Sequence, residues 1–451
     1  MLEVDRALAR LLRPDVAGPP TCFVSGEGVE LVTDTGHRVI DAISGVGVTC
    51  LGYTVPSVVE RMSRQAETLP YAHAMRFETP PLRELAERVA ALAPPNVNHA
   101  FFVSGGSEAV ESAIKLVRQY WLERDRPSRW RIIGRWPAFH GNTLAALSAG
   151  WHRARRMHHQ PLLLDFPHIE APNSYRGCGH CRNAGGCNLR CAHELERVLI
   201  RENAATVAAF IAEPIVGAAG GAIVPHPEYF PLVRDICDRY EILLVADEVI
   251  TGFARTGAWF ALEHWDVEPD VIVFAKGVSA GFAPLGGLGV RDDVVSALRD
   301  GSGRFEHNFT MAGHAVACAA GCAVLEELER LDAPARVRAL EPTFFASLAA
   351  LAGFSIVGDI RGKGLLAGVE FVADKETKRP FDASLRVAET VARYALEEGV
   401  LVYPCSGGSD GIGDHLLVMP AFVTPPELFG EAAARLARAV ERVEAELGRA
   451  M

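Results

Sequence analysis

The sequence predicts an α/β protein in which helices cover both faces of a mainly parallel sheet. Between about residues 97 and 290, short apolar stretches alternate with stretches whose apolar residues have helical spacing. The apolar stretches are predicted strands, at 100–103, 131–133, 208–211, 242–246 and 270–274. Strands that alternate with helices are joined by crossover connections, which place helices on both faces of a parallel sheet.

The flanking segments predict a second, smaller α+β domain. Residues 1–20 have amphipathic helical spacing, and residues 29–40 form a predicted hairpin around Gly36. The remaining predicted elements are helices at 56–68, 80–93, 313–329, 335–352, 384–398 and from 425, and strands near 354–360, 365–372, 400–404 and 415–418. We expect residues 61–312 to form the large domain, and residues 1–60 to join 313–451 in the smaller one.

Composition excludes several classes of protein. The 451 residues carry a net charge of −11, which argues against bulk attraction to nucleic acid or to anionic membranes. No apolar run approaches the roughly 20 residues of a membrane span. The N-terminus lacks the basic and apolar pattern of a secretory signal, so we expect a cytoplasmic protein whose partners are neither nucleic acid nor membrane.

Lys276 is the first candidate for chemistry. The apolar stretch 271–275 leads to it, and the glycine-rich stretch 277–287 follows. Burial disfavours the ammonium form, and a neutral lysine amine is a nucleophile for carbonyl compounds, including the aldehyde of pyridoxal 5'-phosphate (PLP). The alternative is an exposed lysine that follows a strand, which this stretch alone favours.

Asp247 is the second candidate, because it comes directly after the predicted strand 242–246. Open α/β sheets bind ligands at the carboxyl ends of their strands. A buried carboxylate needs a partner there, and the protonated pyridine nitrogen of PLP is a suitable one. The alternatives are a cap for the next helix or an ion pair with a residue such as Arg255.

Two further segments indicate a phosphate and a flat ring. Residues 104–108 (SGGSE) join a strand to a helix, and free N–H groups at a helix N-terminus bind anions. The alternative is a serine N-cap assisted by Glu108 or Glu111. Phe139, beside His140 and Gly141, could stack on a heteroaromatic ring, although an aromatic residue in such a place is more often part of the core.

Taken together, these segments resemble the class III (fold-type I) PLP-dependent aminotransferases, and most closely the omega-amine, amine:pyruvate-like branch. The similar segments, in the family's order, are 104–109 (SGGSEA), 139–143 (FHGNT), 212–214 (AEP), 247–257 (DEVITGFARTG), 275–277 (AKG) and the threonine loop 308–314 (NFTMAGH). The resemblance covers nearly the whole chain. It implies a large domain with a seven-stranded type of sheet.

The resemblance also implies roles for individual residues. Lys276 would form the Schiff base with PLP and move protons, and Asp247 would keep the pyridine nitrogen protonated. The remaining implied cofactor contacts are Gly106 and Ser107 at the phosphate, Phe139 and Val249 on the two ring faces, His140 and Glu213 around the ring, and Thr310 at the phosphate of the neighbouring subunit. The implied protein is therefore a homodimer with active sites shared across the interface.

The implied reaction moves an amino group between a primary amine and a keto acid or aldehyde, with ping-pong kinetics. A PLP-dependent lyase or epimerase of the same fold remains an alternative, since the residues that hold PLP are common to both.

Departures from the family pattern bear on the substrate. Ile250 stands where ornithine- and GABA-type members have glutamine, and Ala218 stands at the position of the ornithine-type gating glutamate. No arginine lies between Tyr403 and Pro426, where many members have a substrate-carboxylate arginine. We therefore expect a substrate amine without the usual carboxylate, such as an amino sugar, a polyamine-like amine or an ω-amino acid. Three arginines elsewhere remain candidates for a carboxylate contact: Arg76, Arg153 and Arg361.

Four clustered cysteines predict a structural zinc site. Cys178, Cys181, Cys187 and Cys191 form a CxxC and a CxxxC pair, which is the spacing of a tetrahedral zinc site. Four thiolates leave no open coordination position, so the metal would order this segment and take no part in catalysis. The alternatives are disulfides or free thiols.

Overall fold

The structure is a computed structural model that describes residues 12, 21–177, 189–406 and 413–450, except the side chains of 406, 449 and 450. The strands are β1 (Phe23–Glu27), β2 (Glu30–Thr33), β3 (Arg38–Asp41), β4 (Val97–Val103), β5 (Arg131–Trp136), β6 (His168–Glu170), β7 (Val207–Ala212), β8 (Leu243–Asp247), β9 (Val271–Phe274), β10 (Gly286–Arg291), β11 (Val357–Lys363), β12 (Leu366–Phe371), β13 (Val400–Leu401), β14 (Tyr403–Ser406) and β15 (Asp414–Val418). The helix predicted at 1–20 lies outside the described residues, apart from Leu12.

The described helices match most of the predicted ones in position. They are α1 (Pro56–Thr68), α2 (Pro80–Leu92), α3 (Gly106–Glu123), α4 (Leu144–Ala149), α5 (Arg153–Arg156), α6 (Arg190–Arg201), α7 (Tyr229–Arg239), α8 (Asp292–Asp300), α9 (Ala315–Arg330), α10 (Ala333–Leu348), α11 (Val387–Glu397) and α12 (Pro426–Ala450), besides a left-handed turn at Ser44–Gly47 and short 3-10 turns. Among these described helices, none combines the length and the apolar character that crossing a membrane requires.

A seven-stranded sheet with the order β4-β10-β9-β8-β7-β5-β6 forms the centre of the molecule. Its strands are parallel except β10, which runs antiparallel to both β4 and β9. The predicted fold class is therefore confirmed. Strands β7, β8 and β9 are buried along their whole length, which explains their continuous apolar sequences.

Helices bury apolar side chains on both faces of this sheet. On one face, Val110 and Val117 of α3 share a core with Val245 of β8. On the other face, Val233 of α7 shares a core with Leu244 of β8. Because successive residues of a strand point to opposite faces, Leu244 and Val245 belong to different cores. Between these two layers, at the carboxyl edge of the sheet, Asp247 ends β8 and Glu213 directly follows β7.

Two smaller sheets bring the ends of the chain together. In one, the order is β1-β2-β3-β13, and β13 lies parallel to β3, which joins Val400–Leu401 to the N-terminal hairpin. The other has the order β11-β12-β15-β14 and is antiparallel. The domain boundaries near 61 and 312 stay a prediction.

Candidate active site

A cavity of about 310 Å³ lies at the carboxyl edge of the parallel strands. Parallel strands end at a common edge, so the residues that follow β5, β7, β8 and β9 meet there. Residues from this set, with the start of α3, line the cavity: Gly106, Ser107, Phe139, His140, Glu213, Asp247, Val249 and Lys276. All of the cofactor contacts predicted within one subunit are thus brought together.

Lys276 projects from the end of β9 into this cavity. Its backbone has φ of 47°, a left-handed conformation that is uncommon for a residue other than glycine and often occurs at functional sites. Burial lowers the pKa of Lys276 to about 8, against the opposing effect of the carboxylates of Asp247 and Glu213. A substantial fraction of the amine is therefore neutral and nucleophilic slightly above neutral pH.

Asp247 is paired with the imidazole of His140, and both side chains are almost fully buried. His140 Nδ1 lies 2.6 Å from Asp247 Oδ2, and the Val249 N–H donates to Oδ1 at 3.1 Å. The sequence suggested Arg255 as an alternative partner, but Arg255 donates to the carbonyl oxygens of Leu365 and Pro420. His140 was expected only as a cofactor contact, so its pairing with Asp247 is new information.

Glu213 shapes the loop that carries Phe139. Its Oε1 accepts from the Phe139 N–H at 3.0 Å and its Oε2 accepts from the Gly217 N–H at 2.8 Å. Burial raises the pKa of Glu213, although the nearby His140 opposes this. The carboxyl group therefore connects the loops after β5 and β7 and orients the Phe139 ring over the cavity.

The start of α3 closes the other end of the cavity. Ser107 Oγ accepts from the Asn142 N–H at 3.1 Å. Close approach of the neighbouring loop requires glycine at 141, where a Cβ would lie 2.6 Å from Ser107 Oγ, and a Cβ on Gly106 would be a tight contact at 3.3 Å from Val249. An 18-residue helix beginning at Gly106 directs its N–H groups toward this end, where an anion is favoured. The cavity therefore fits a flat group that carries a phosphate.

Arg155 and Tyr403 also line the cavity, and sequence reasoning missed both. The Arg155 guanidinium lies 4.7 Å from the centroid of the Phe139 ring and donates to Tyr403 Oη at 3.2 Å. Of the arginines that the sequence nominates, Arg76 and Arg153 do not line this cavity, and Arg361 is ion-paired with Asp359 and Glu370. The arginine-rich stretch 153–156 could have indicated a carboxylate contact, but the sequence does not tell which of its arginines lines the cavity.

Within one subunit, Thr310 does not line this cavity. It is exposed, and its carbonyl oxygen accepts from Tyr71 Oη at 2.5 Å. Its predicted role at the site of a neighbouring subunit stays a prediction.

Of the four clustered cysteines, Cys178, Cys181 and Cys187 lie outside the described residues. Cys191 is at the start of α6 and is buried in the core beside Ala192 and Leu195. Within the part of the chain that the structure describes, no cluster of three or more potential metal ligands is present.

The architecture is that of the fold-type I PLP-dependent transaminases, and comparisons with known proteins narrow the assignment. The model of the family described as aminotransferase class-III matches residues 13–440. The chain therefore belongs to the class III aminotransferases, a PLP-dependent family.

Relatives and solved structures agree with this assignment. A putrescine–pyruvate aminotransferase from Pseudomonas aeruginosa is 35% identical over 417 residues, which cover 91% of this chain and 88% of that protein. An amine transaminase from an uncultivated Pseudomonas species, solved in its PLP-bound form, has a TM-score of 0.90 and 32% identity, and covers 96% of this chain and 98% of that one. An (S)-enantioselective omega-transaminase from Thermomicrobium roseum has a TM-score of 0.90 and 33% identity, with 98% of each chain covered.

Proposed function

We propose that this aminotransferase takes an amino group from a primary amine and gives it to a keto acid or aldehyde by a ping-pong mechanism. The donor is an ω-amino acid, an amino sugar or a polyamine-like amine. The observation that carries the proposal is the presence of the Lys276 amine and the buried Asp247 carboxylate in one cavity. The lack of an arginine between Tyr403 and Pro426 and the similarity to a putrescine–pyruvate aminotransferase support a donor without a carboxylate beside its amine.

The residues of the cavity suit PLP, and we assign them these roles. Gly106 and Ser107 would bind its phosphate at the N-terminus of α3. Phe139 and Val249 would flank its ring, and Asp247 would keep the ring nitrogen protonated. PLP, when bound, supplies an aldehyde that captures amines and a ring that withdraws electrons from the substrate carbon. His140 fixes the Asp247 carboxylate by donating from Nδ1.

Lys276 would transfer the proton. Its Nζ would take a proton from the carbon that bears the substrate nitrogen and pass it to the cofactor, and it would carry a proton in the opposite direction in the acceptor half-reaction. A general base works best when its pKa is near the operating pH, and burial brings the pKa of Lys276 to about 8. Glu213 holds the Phe139 loop in place through the Phe139 and Gly217 N–H groups, which keeps the wall of the cavity fixed while the proton moves.

A homodimer completes the proposed site, with Thr310 of each subunit at the phosphate of the other subunit's cofactor. Met311, the next residue, is exposed, and so are Met75 and Phe77, which follow Tyr71, the residue that donates to the Thr310 carbonyl oxygen. A second copy of the chain would cover them. Measurement of molecular mass in solution, together with PLP retention by Thr310→Ala, tests this arrangement.

The activity is tested with purified holoenzyme and a panel of donors and acceptors. Putrescine, β-alanine and an amino sugar are combined with pyruvate or 2-oxoglutarate, and the Lys276→Ala variant is the control. In a ping-pong mechanism, the donor alone converts one equivalent of bound cofactor and so changes its absorbance. The acceptor alone then restores the original absorbance. Strict dependence on a dicarboxylic amino acid in both half-reactions would contradict the proposal.

The zinc prediction is tested separately by metal analysis. We expect about one structural zinc per chain if the four thiolates of Cys178, Cys181, Cys187 and Cys191 bind the metal together. A content well under one zinc per chain would contradict the prediction of a zinc site. Because the proposed metal is structural, this result leaves the aminotransferase proposal unchanged.

A further inference from the structure

We infer that Arg155 binds the carboxylate of the acceptor and so selects 2-oxo acids over neutral aldehydes. This inference rests on the proposed function, because it assigns the acceptor of the same reaction. Arg155 would replace, from the short helix α5, the arginine that is absent between Tyr403 and Pro426.

The surroundings of Arg155 orient its guanidinium but leave its charge without a counter-ion. Nη2 donates to Tyr403 Oη at 3.2 Å, and Nη1 lies 3.5 Å from Asn142 Oδ1. Burial raises the pKa of Tyr403, so its hydroxyl stays neutral at physiological pH. The third contact is the face of the Phe139 ring. Among the described residues, no carboxylate lies within ion-pairing distance of Arg155, although arginines elsewhere on the chain commonly have one.

The two neighbouring arginines in α5 have different surroundings. The Arg156 side chain is buried, and its Nη1 donates to the carbonyl oxygens of Leu147, Ser148 and Gly150. Arg153 is exposed and does not line the cavity. Only Arg155 of this stretch combines access to the cavity with unsatisfied donor capacity. Arg156 therefore stabilises the fold, and Arg155 is available for a ligand.

A 2-oxo acid carries a carboxylate directly beside the carbonyl carbon that receives nitrogen. A guanidinium fork binds a carboxylate through two parallel hydrogen bonds, which fix the orientation of the carbonyl. Lys276 and Arg155 line the same cavity, so the reacting carbon and the carboxylate can be held at once. When a donor without a carboxylate occupies the cavity, Arg155 keeps its contacts with Tyr403 and Phe139. One cavity can thus accept a neutral amine and then a keto acid.

The phosphate of PLP is another anion that Arg155 could meet, since Asn142 connects it to Ser107. A comparison of two acceptors distinguishes binding of the acceptor carboxylate by Arg155 from binding of the PLP phosphate. We would measure kcat/KM for pyruvate and for propanal with the same amine donor, using wild-type protein, Arg155→Met, Arg155→Lys and Arg153→Met. PLP retention is measured on every variant.

We expect Arg155→Met to lower kcat/KM for pyruvate by about tenfold to a hundredfold, mostly through KM, because it loses a charged hydrogen bond. The ratio of pyruvate to propanal should fall by nearly the same factor. Arg155→Lys should fall between Arg155→Met and wild type, because lysine keeps the charge but lacks the planar fork. Arg153→Met should match the wild type.

Binding provides a readout that does not depend on turnover. Butyrate should perturb the cofactor absorbance of resting wild-type holoenzyme, and the neutral butyramide should not. Arg155→Met should remove the response to butyrate. Equal losses for pyruvate and propanal, or weakened PLP retention, would assign Arg155 to the phosphate and overturn the inference. An unchanged acceptor ratio would also overturn it. If the wild type transaminates none of the panel, the proposed function fails, while the butyrate titration still tests Arg155.

Discussion

His140 Nδ1 lies 2.6 Å from Asp247 Oδ2, and the two side chains are 0% and 3% exposed. His140 follows β5 and Asp247 ends β8, so this bond connects a loop to the end of a different strand at the sheet edge. A hydrogen bond to a buried charged group is worth about 1.5–3 kcal/mol. Among the described residues His140 Nε2 has no hydrogen-bond partner, and the imidazole makes its one such bond to Asp247. His140 thus holds the carboxylate in one orientation.

Asp247→Asn should abolish most activity while leaving the fold intact. The amide has the size of the carboxylate, but it lacks the negative charge that keeps a pyridine nitrogen protonated. We expect the single-turnover rate with an amine donor to fall by on the order of 100-fold to 1,000-fold. This is the loss typical of removing one group that stabilises charge in the transition state. Asp235→Asn, at a side chain that is 61% exposed, is the matched control and should react like the wild type. A loss below about tenfold would contradict the role proposed for Asp247.

PLP should combine with the cofactor-free protein at a rate that depends on pH. Only the neutral amine attacks an aldehyde, and burial lowers the pKa of Lys276 to about 8. The rate should level off above pH 8 and fall about tenfold for each pH unit well below it. Stopped-flow absorbance would measure this rate. Lys276→Arg is the control, because arginine stays protonated and should give no covalent signal. A midpoint near 10.5, the ordinary value for lysine, would show that Lys276 is not desolvated.

The sequence predicts the strands and site residues that depend on local pattern. Strands β7, β8 and β9 are apolar because they are buried on both faces, and Asp247 and Lys276 were found because they end β8 or follow β9. Strand β10 was missed because glycines occupy three of its first four positions. Tertiary packing explains the glycines in this strand, because a Cβ on Gly287 would meet the ring of Phe274 at 2.8 Å.

The contacts that the sequence did not predict join distant parts of the chain. Arg155 and Tyr403 are 248 residues apart, and His140 and Asp247 are 107 residues apart. No local pattern distinguishes Arg155 from Arg153 or Arg156, because their different environments exist only after α5 packs beside α4. Residue type and strand position predict which groups reach the edge, whereas the pairing of these groups requires the folded chain.

Gly141→Ala should damage both stability and the phosphate end of the cavity. Gly141 has φ of 137°, which L-residues rarely adopt, and the new Cβ would lie 2.6 Å from Ser107 Oγ. We expect a loss of about 1–3 kcal/mol in the free energy of unfolding, and weaker retention of PLP because Ser107 must move. Urea unfolding of the cofactor-free protein measures the first effect, and dialysis followed by absorbance measures the second.

Gly105→Ala is the matched control for the stability effect of Gly141→Ala. Gly105 has an extended backbone, and its Cβ would meet no protein atom within 4 Å. The free energy of unfolding of Gly105→Ala should therefore stay within about 0.5 kcal/mol of the wild type. Equal destabilisation by the two substitutions would show that the close approach to Ser107 has no special cost.

Glu248 should make the stability of the cofactor-free protein depend on pH. The residue is 1% exposed, accepts from the Leu262 N–H at 3.0 Å and accepts from the Thr251 hydroxyl. Burial raises the pKa of Glu248 from its ordinary 4.5 to about 7. Between these two values the folded protein binds more protons than the unfolded chain. This contribution to stability is complete below pH 4.5, and it is lost as the pH rises through 7.

Glu248→Gln cannot titrate at this position and isolates the contribution. From urea unfolding at pH 4.5, 5.5, 6.5 and 7.5, the free energy of unfolding of the wild type relative to Glu248→Gln should fall by about 3 kcal/mol, since each pKa unit corresponds to about 1.4 kcal/mol. Other carboxylates titrate equally in both proteins and cancel in this difference. A difference that stays constant with pH would mean that folding does not raise the pKa of Glu248, with the Thr251 hydroxyl and the Leu262 N–H compensating for its burial.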